Sequence, residues 1–282
     1  MGANSWLRRS IKTALHPLLN ETSYSWMQGL AKAMDIVRHK WTEPEVDLIP
    51  FAVKPGDEVL DLGANYGLYT YWLSRAVGPS GHVYAFEPIP FTHRTLRVVS
   101  RLLSVNNVTI VQAGCGDTPG VVSFTIPIQA SGAIGSGQAH IGSRNDQRPG
   151  AETQVRWNRT TRVDCDVVAL DAFLPPLKNV SLIKSDIEGA ELLAFRGAAG
   201  IIDQHRPTVI CEINPWFLDG FGLRLDDLVG LFTDRGYRLY RYTPEKRLQR
   251  IDALTQIVED NYVFIHPSRM APFEPLLESG RG

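Results

Sequence analysis

The chain has 282 residues, 44% hydrophobic and 21% charged, the proportions of an ordinary globular protein, which exclude a disordered or fibrous class. Its 29 Lys and Arg stand against 30 Asp and Glu, a formal charge of -1 that gives no general attraction to polyphosphate and argues against a nucleic-acid partner. Cys115, Cys165 and Cys211 lack disulfide or metal spacing and fit a reducing, cytoplasmic setting, while no apolar run reaches transmembrane length and the N-terminus lacks the pattern of a signal peptide.

Residues 1–52 read as a helical N-terminal cap with a break near Pro44. Residues 5–19 set Trp6, Leu7, Ile11, Leu15 and Leu18 against Arg8, Arg9 and Lys12, a pattern of helices packed on their own domain, the expectation here, and also of membrane-surface helices. Trp26, Leu30, Met34 and Val37 continue the helical spacing. At Lys54-Pro55-Gly56-Asp57 a turn intervenes, and Glu58–Leu62 is a short apolar run that ends in a glycine loop, the order strand, phosphate-type loop, helix. Further runs at His82–Phe86, Val108–Val111, 181–184, Thr208–Ile213, 237–242 and 262–265 bring the total to seven. Their alternation with helical stretches predicts a Rossmann-like α/β fold, a mainly parallel seven-stranded sheet whose last two runs pair antiparallel at the edge. Residues 121–126 and 161–169 read as a hairpin that carries the polar segment 129–150, whose length suits a lid or binding loop and whose composition equally suits disorder. The main domain therefore covers 53–268, and 269–282 is expected to be a peripheral tail.

The densest chemistry begins at Asp61-Leu62-Gly63-Ala64-Asn65-Tyr66-Gly67, where glycines past a buried strand let the backbone approach a ligand and turn into a helix. Asn65 stands where a dinucleotide fingerprint has its second glycine, and Asp61 can face an amino-acid moiety that a pyrophosphate lacks. The balance favours S-adenosylmethionine. Glu87 ends the next strand where such folds place an acid on ribose hydroxyls, against the plainer reading of a helix cap. Ala113 and Asp117 lie in the small-residue turn 112–117, which leaves room for an adenine ring, although Asp117 also suits a simple turn. Lys184-Ser185-Asp186-Ile187-Glu188-Gly189-Ala190-Glu191 then clusters acids at a strand end, and Cys211-Glu212-Ile213-Asn214 adds an acid and an amide to the same rim.

Taken in order, DLGANYG, FEP, KSDIEGAE and CEIN resemble the FkbM methyltransferases over residues 55–243. The resemblance implies a class I methyltransferase fold, S-adenosylmethionine as donor and O-methylation of polyketide or sugar hydroxyls. It carries over to Asp61, Gly63, Asn65, Gly67, Glu87, Asp186, Glu188, Gly189 and Glu191. The expected acceptor is a small-molecule or carbohydrate hydroxyl, whose proton goes to Asp186 or Glu188 as general base, with Glu212 beside them. The other route is Mg²⁺ held by Asp186, Glu212 and Asn214. Helix capping accounts for at least one of Glu188 and Glu191. His140 and Arg144 in the polar segment are candidate acceptor contacts. Asn214-Pro215-Trp216-Phe217 lacks the second proline of the amino-directed DNA methyltransferase signature and reads as a turn. An NAD(P)-dependent oxidoreductase, or a non-catalytic module of the same fold, would share the strand, loop and acid.

Overall fold

A computed structural model describes residues 20–127, 140–141, 160–258 and 260–278. In chain order its strands are β1 (Glu58–Leu62), β2 (His82–Phe86), β3 (Val108–Val111), β4 (Gly114–Cys115), β5 (Gly120–Pro127), β6 (His140–Ile141), β7 (Thr160–Val168), β8 (Val180–Ser185), β9 (Thr208–Ile213), β10 (Arg238–Tyr242), β11 (Leu248–Arg250) and β12 (Asp260–Ile265). Among the described residues the larger sheet has eight strands in the order β11-β10-β12-β9-β8-β1-β2-β3. Strands β3, β2, β1, β8 and β9 are parallel, and β12 enters antiparallel between β9 and β10. This is the class I arrangement: counted without β11 and the smaller sheet, seven strands run 3-2-1-4-5-7-6 with the seventh reversed. The eighth, β11, lengthens the antiparallel edge; its three residues, two of them exposed, are too few for a periodic signal.

Successive side chains of a strand point to opposite faces, so Leu60 and Leu62 join Phe86, Ile183 and Phe195 on one side of the sheet. Val59 joins Leu73, Val83, Leu182 and Ile210 on the other. Burial on both faces explains why the parallel runs are largely apolar.

The smaller sheet has the order β4-β7-β5-β6, with β5 and β7 paired antiparallel from Gly120↔Val167 to Pro127↔Thr160, as the expected hairpin requires. Most of the polar segment between them, Arg144 included, lies outside the described residues. His140 and Ile141 rejoin the sheet as β6 beside Thr125 and Phe124.

At the N-terminal side, residues 5–19 lie outside the described residues, and a helix spans Glu21–Val37, capped by the Asn20 side chain, which accepts from the Ser23 amide at 2.9 Å. It stops at Val37, well before Pro44; a 3-10 turn at Pro44–Leu48 and one helical turn at Ile49–Ala52 complete the approach to β1. Gly29 lets it close on the helix Pro90–Leu102, because a Cβ there would collide with Val98, and Tyr24 stacks on Phe91 with ring centroids 5.6 Å apart.

The C-terminal segment corrects the expectation of a peripheral tail. Phe273 is fully buried in the face formed by Val59 and Leu73, its ring 6.1 Å from that of Phe51. Arg247 donates to the Pro275 carbonyl at 2.8 Å, and Arg269 to the His205 carbonyl at 2.9 Å. Prolines at 272 and 275 suggested a loose end, but the one aromatic side chain between them supplies the anchor.

Candidate active site

Strand register assembles the rim. Leu62 pairs with Phe86 on one side and Ser185 on the other, and Ser185 pairs with Cys211. The residues that follow, Gly63, Glu87, Asp186 and Glu212, therefore stand side by side at the carboxyl ends of four parallel strands, where open α/β sheets bind ligands.

The loop after β1 needs unusual backbone: Gly63, Asn65 and Gly67 have φ of 77°, 48° and 90°. Amides of Gly63 and Ala64 both donate to the Phe86 carbonyl, at 3.0 and 2.9 Å, which ties the loop to β2. Gly63 also lies so close to the Asp186 carbonyl that no Cβ could fit, so the glycine loop and the acidic turn pack backbone to backbone. Glu87 is buried beside this loop, where its Oε2 accepts from the Asn65 amide and its Oε1 from the Ile89 amide, each at 3.0 Å. Burial raises its pKa to about 7 against the pull of those two amides, with Asp61 and Asp186 adding to the rise. Two amides leave unused lone pairs on the carboxylate.

A cavity of about 500 Å³ opens on this rim. Gly63, Asn65, Glu87, Ala113 and Asp117 border it, and so do Asp186, Glu188 and Glu212. Its apolar side is made by Phe86, Ile89, Cys115 and, from the smaller sheet, Phe124 and Val167. Asp61 and Gly67 stand behind that wall. Asp61, its pKa raised to about 6 by burial, accepts from the Thr70 hydroxyl at 2.5 Å and so ties the end of β1 to the helix that follows the loop. Gly67 begins the helix Leu68–Val77 against Leu96.

Asp186 and Glu212 form an acid pair. Burial first, then the charge of Asp186 and a hydrogen bond with it, raise the Glu212 pKa to about 9. Glu212 is therefore the partner that holds the proton and donates to Asp186. Glu188 occupies a left-handed position (φ 56°), and Gly189 follows at φ 102° against the Phe217 backbone, so the acidic turn is pressed onto the helix Pro215–Gly220. Glu191 turns out to be structural: its Oε1 accepts from the Ile187 amide at 3.0 Å and closes the turn.

Asn214 corrects the metal expectation. Its Oδ1 caps the helix Pro215–Gly220, accepting from the amides of Trp216 and Phe217 at 3.0 and 3.3 Å, so the oxygen assigned to a cation is already committed. Among the described residues no three His, Cys, Asp or Glu side chains are grouped to hold a metal.

Lys184 was given no role in the sequence, yet it is fully buried at the centre of the acids. Its Nζ donates to Asn261 Oδ1 at 3.0 Å and lies 5.0 Å from the Tyr69 ring centroid. Burial works to lower its pKa, but Asp186, Glu43, Cys211 and Glu212 outweigh this and hold it above the ordinary value. Glu43 and Glu45, contributed by the segment before β1, extend the charge cluster, and burial raises the Glu45 pKa to about 7. The available signal was a lysine inside an otherwise apolar strand, Leu182-Ile183-Lys184, which must find counter-charges once buried.

The model of the methyltransferase FkbM domain matches residues 61–239. The chain belongs to the FkbM methyltransferase family. It is 30% identical over 167 residues to Methyltransferase 1 of Beauveria bassiana, covering 56% of this chain and 63% of that protein. Methyltransferase sdnD of Sordaria araneosa is 24% identical over 220 residues, covering 72% of this chain and 82% of the relative. Among solved structures, the FkbM methyltransferase of Methylobacillus flagellatus aligns at a TM-score of 0.44 with 18% identity, over 85% of this chain and 54% of that one. This FkbM chain thus spans less than two thirds of the Beauveria protein and about half of the Methylobacillus chain. The family match covers every rim residue, from Gly63 to Glu212.

Proposed function

We propose that this FkbM chain transfers a methyl group from S-adenosylmethionine to a hydroxyl of a small molecule or glycan, in the cytoplasm. The observation that carries the reading is a single cavity bordered by Glu87, an apolar slot and the Asp186–Glu212 pair. The donor set fits the cofactor. Asn65 Oδ1 is buried without a hydrogen-bond partner, and Glu87 keeps spare lone pairs, so both suit a ligand's hydroxyl or amino groups. Phe86, Ile89, Ala113 and Val167 offer the flat apolar walls that an adenine ring needs. S-adenosylmethionine, when bound, supplies a methyl group on a positively charged sulfur.

Asp186 accepts the proton of the acceptor hydroxyl. Glu212, protonated, donates to Asp186 and fixes which carboxylate oxygen remains free, while Lys184 balances the negative charge from behind the strand end. Glu188 borders the same end of the cavity and is assigned to orient the acceptor. Proton removal is given to Asp186 in preference to Mg²⁺ because Asn214 Oδ1 is spent on its cap and an ammonium already serves the acids. The net charge of -1 continues to favour an uncharged hydroxyl acceptor over nucleic acid.

The test uses methyl-labelled S-adenosylmethionine and a panel of sugar and polyketide-type alcohols. Asp186→Asn should bind the cofactor normally yet lower kcat by about 10² to 10⁴, the usual contribution of a general base. EDTA should leave the parent protein's rate unchanged. A folded, cofactor-binding Asp186→Asn variant with near-normal turnover would defeat the assignment.

A further inference from the structure

The helix Glu21–Val37 is amphipathic in the wrong sense. Toward the domain it buries Ser25, Gln28, Gly29 and Asp35 together with Tyr24, Ala33 and Ile36. Toward solvent it presents Trp26, Leu30, Met34 and Val37, which are 45%, 53%, 39% and 51% exposed. These four follow one another at i+4, i+4 and i+3, the spacing of a continuous stripe along one helix face. A surface helix ordinarily turns such a stripe inward; here the inward face is already filled by the contact with Pro90–Leu102. The helix is neither long nor apolar enough to cross a membrane, and no other helix among the described residues is.

We propose that this stripe seats the protein on an anionic lipid surface. Three features select lipid over a second copy of the chain. Charge is arranged for it: Arg38, His39 and Lys40 follow the stripe and are all exposed, whereas of the two acids of the helix Asp35 is buried and Glu21, at the far end, is exposed but paired with Arg94 at 2.9 Å. Against a chain of net charge -1, this is a local basic end beside an apolar face, the composition of helices that lie in the headgroup region. An exposed tryptophan heads the stripe, and its ring suits the boundary between headgroups and acyl chains. Finally, four half-exposed side chains offer on the order of 300–400 Å², about half of the ~800 Å² per partner that a stable protein interface buries.

The experiment is flotation of the full chain with vesicles of phosphatidylcholine alone and of phosphatidylcholine mixed with phosphatidylglycerol. Binding should appear on the mixed vesicles and weaken with added salt. The double variant Leu30→Ser, Met34→Ser should lose about ten-fold or more in vesicle affinity while its melting temperature and cofactor affinity stay unchanged. The pair Arg38→Gln, Lys40→Gln should lose the preference for phosphatidylglycerol. A parent protein that floats with neither vesicle overturns the proposal, as does undiminished binding by the Leu30→Ser, Met34→Ser protein. Concentration-dependent dimerisation abolished by that same variant, without vesicle binding, would assign the stripe to a second copy and would also overturn it.

Discussion

Glu212 is the residue whose protonation should be most visible in catalysis. Its pKa, raised to about 9 by burial and by Asp186, leaves it protonated through the neutral range, where its O–H donates to Asp186, the proposed base. Above that pH it ionises, the donor is lost and two carboxylates face each other at neighbouring strand ends, so kcat should fall as pH rises through about 9. Glu212→Gln keeps a neutral donor in place and should remove this alkaline limb while sparing cofactor affinity. A pH profile of kcat for both proteins checks this, and an identical limb in the variant would contradict it. Of the rim residues, Gly63, Asn65, Glu87, Asp186, Glu188 and Glu212 were legible in the sequence, because each follows an apolar run and a strand end is a position that sequence can mark. The division of labour among the acids was not. Glu191 as a turn clasp, Asp61 as a support behind the wall and Asn214 as a cap depend on where each carboxylate or amide points, and Lys184 depends on neighbours as distant in the chain as Glu43 and Asn261.

At the level of elements, runs of four to six apolar residues announced the parallel strands because both faces of that sheet are covered. The antiparallel edge was readable for β10 and β12, whereas β11 is too short to have a period. Periodicity also found the stripe on Glu21–Val37 but could not say which way it faces, since a helix with an apolar face looks alike whether that face meets a core or a lipid surface. The C-terminal segment was the larger surprise, as proline content masked a single anchoring ring. Phe273→Ala should destabilise the protein by about 3–5 kcal/mol, the cost of emptying a fully buried aromatic site. Denaturant unfolding measures it, and a loss below about 1 kcal/mol would return the segment to the periphery.

Across the whole molecule, one sheet does two jobs: its parallel half presents the loop, Glu87 and the acid pair along one rim, and its buried faces hold them in register. The smaller sheet closes the cavity from the side with Phe124 and Val167, and through β5 and β7 it also carries the polar segment that holds His140, a candidate acceptor contact. Glu87 is the hinge of the account, because it joins the glycine loop to the cavity through the Asn65 amide and is the acid proposed to hold the ribose. The most direct measurement is therefore a calorimetric titration of the parent chain and of Glu87→Ala with S-adenosylmethionine, with NAD as the competing ligand. The parent should bind S-adenosylmethionine and not NAD, and the variant, still folded, should lose about 1.5–3 kcal/mol of that binding, the range for hydrogen bonds to a charged group. Tighter binding of NAD, or an affinity for S-adenosylmethionine untouched by the loss of Glu87, would contradict it.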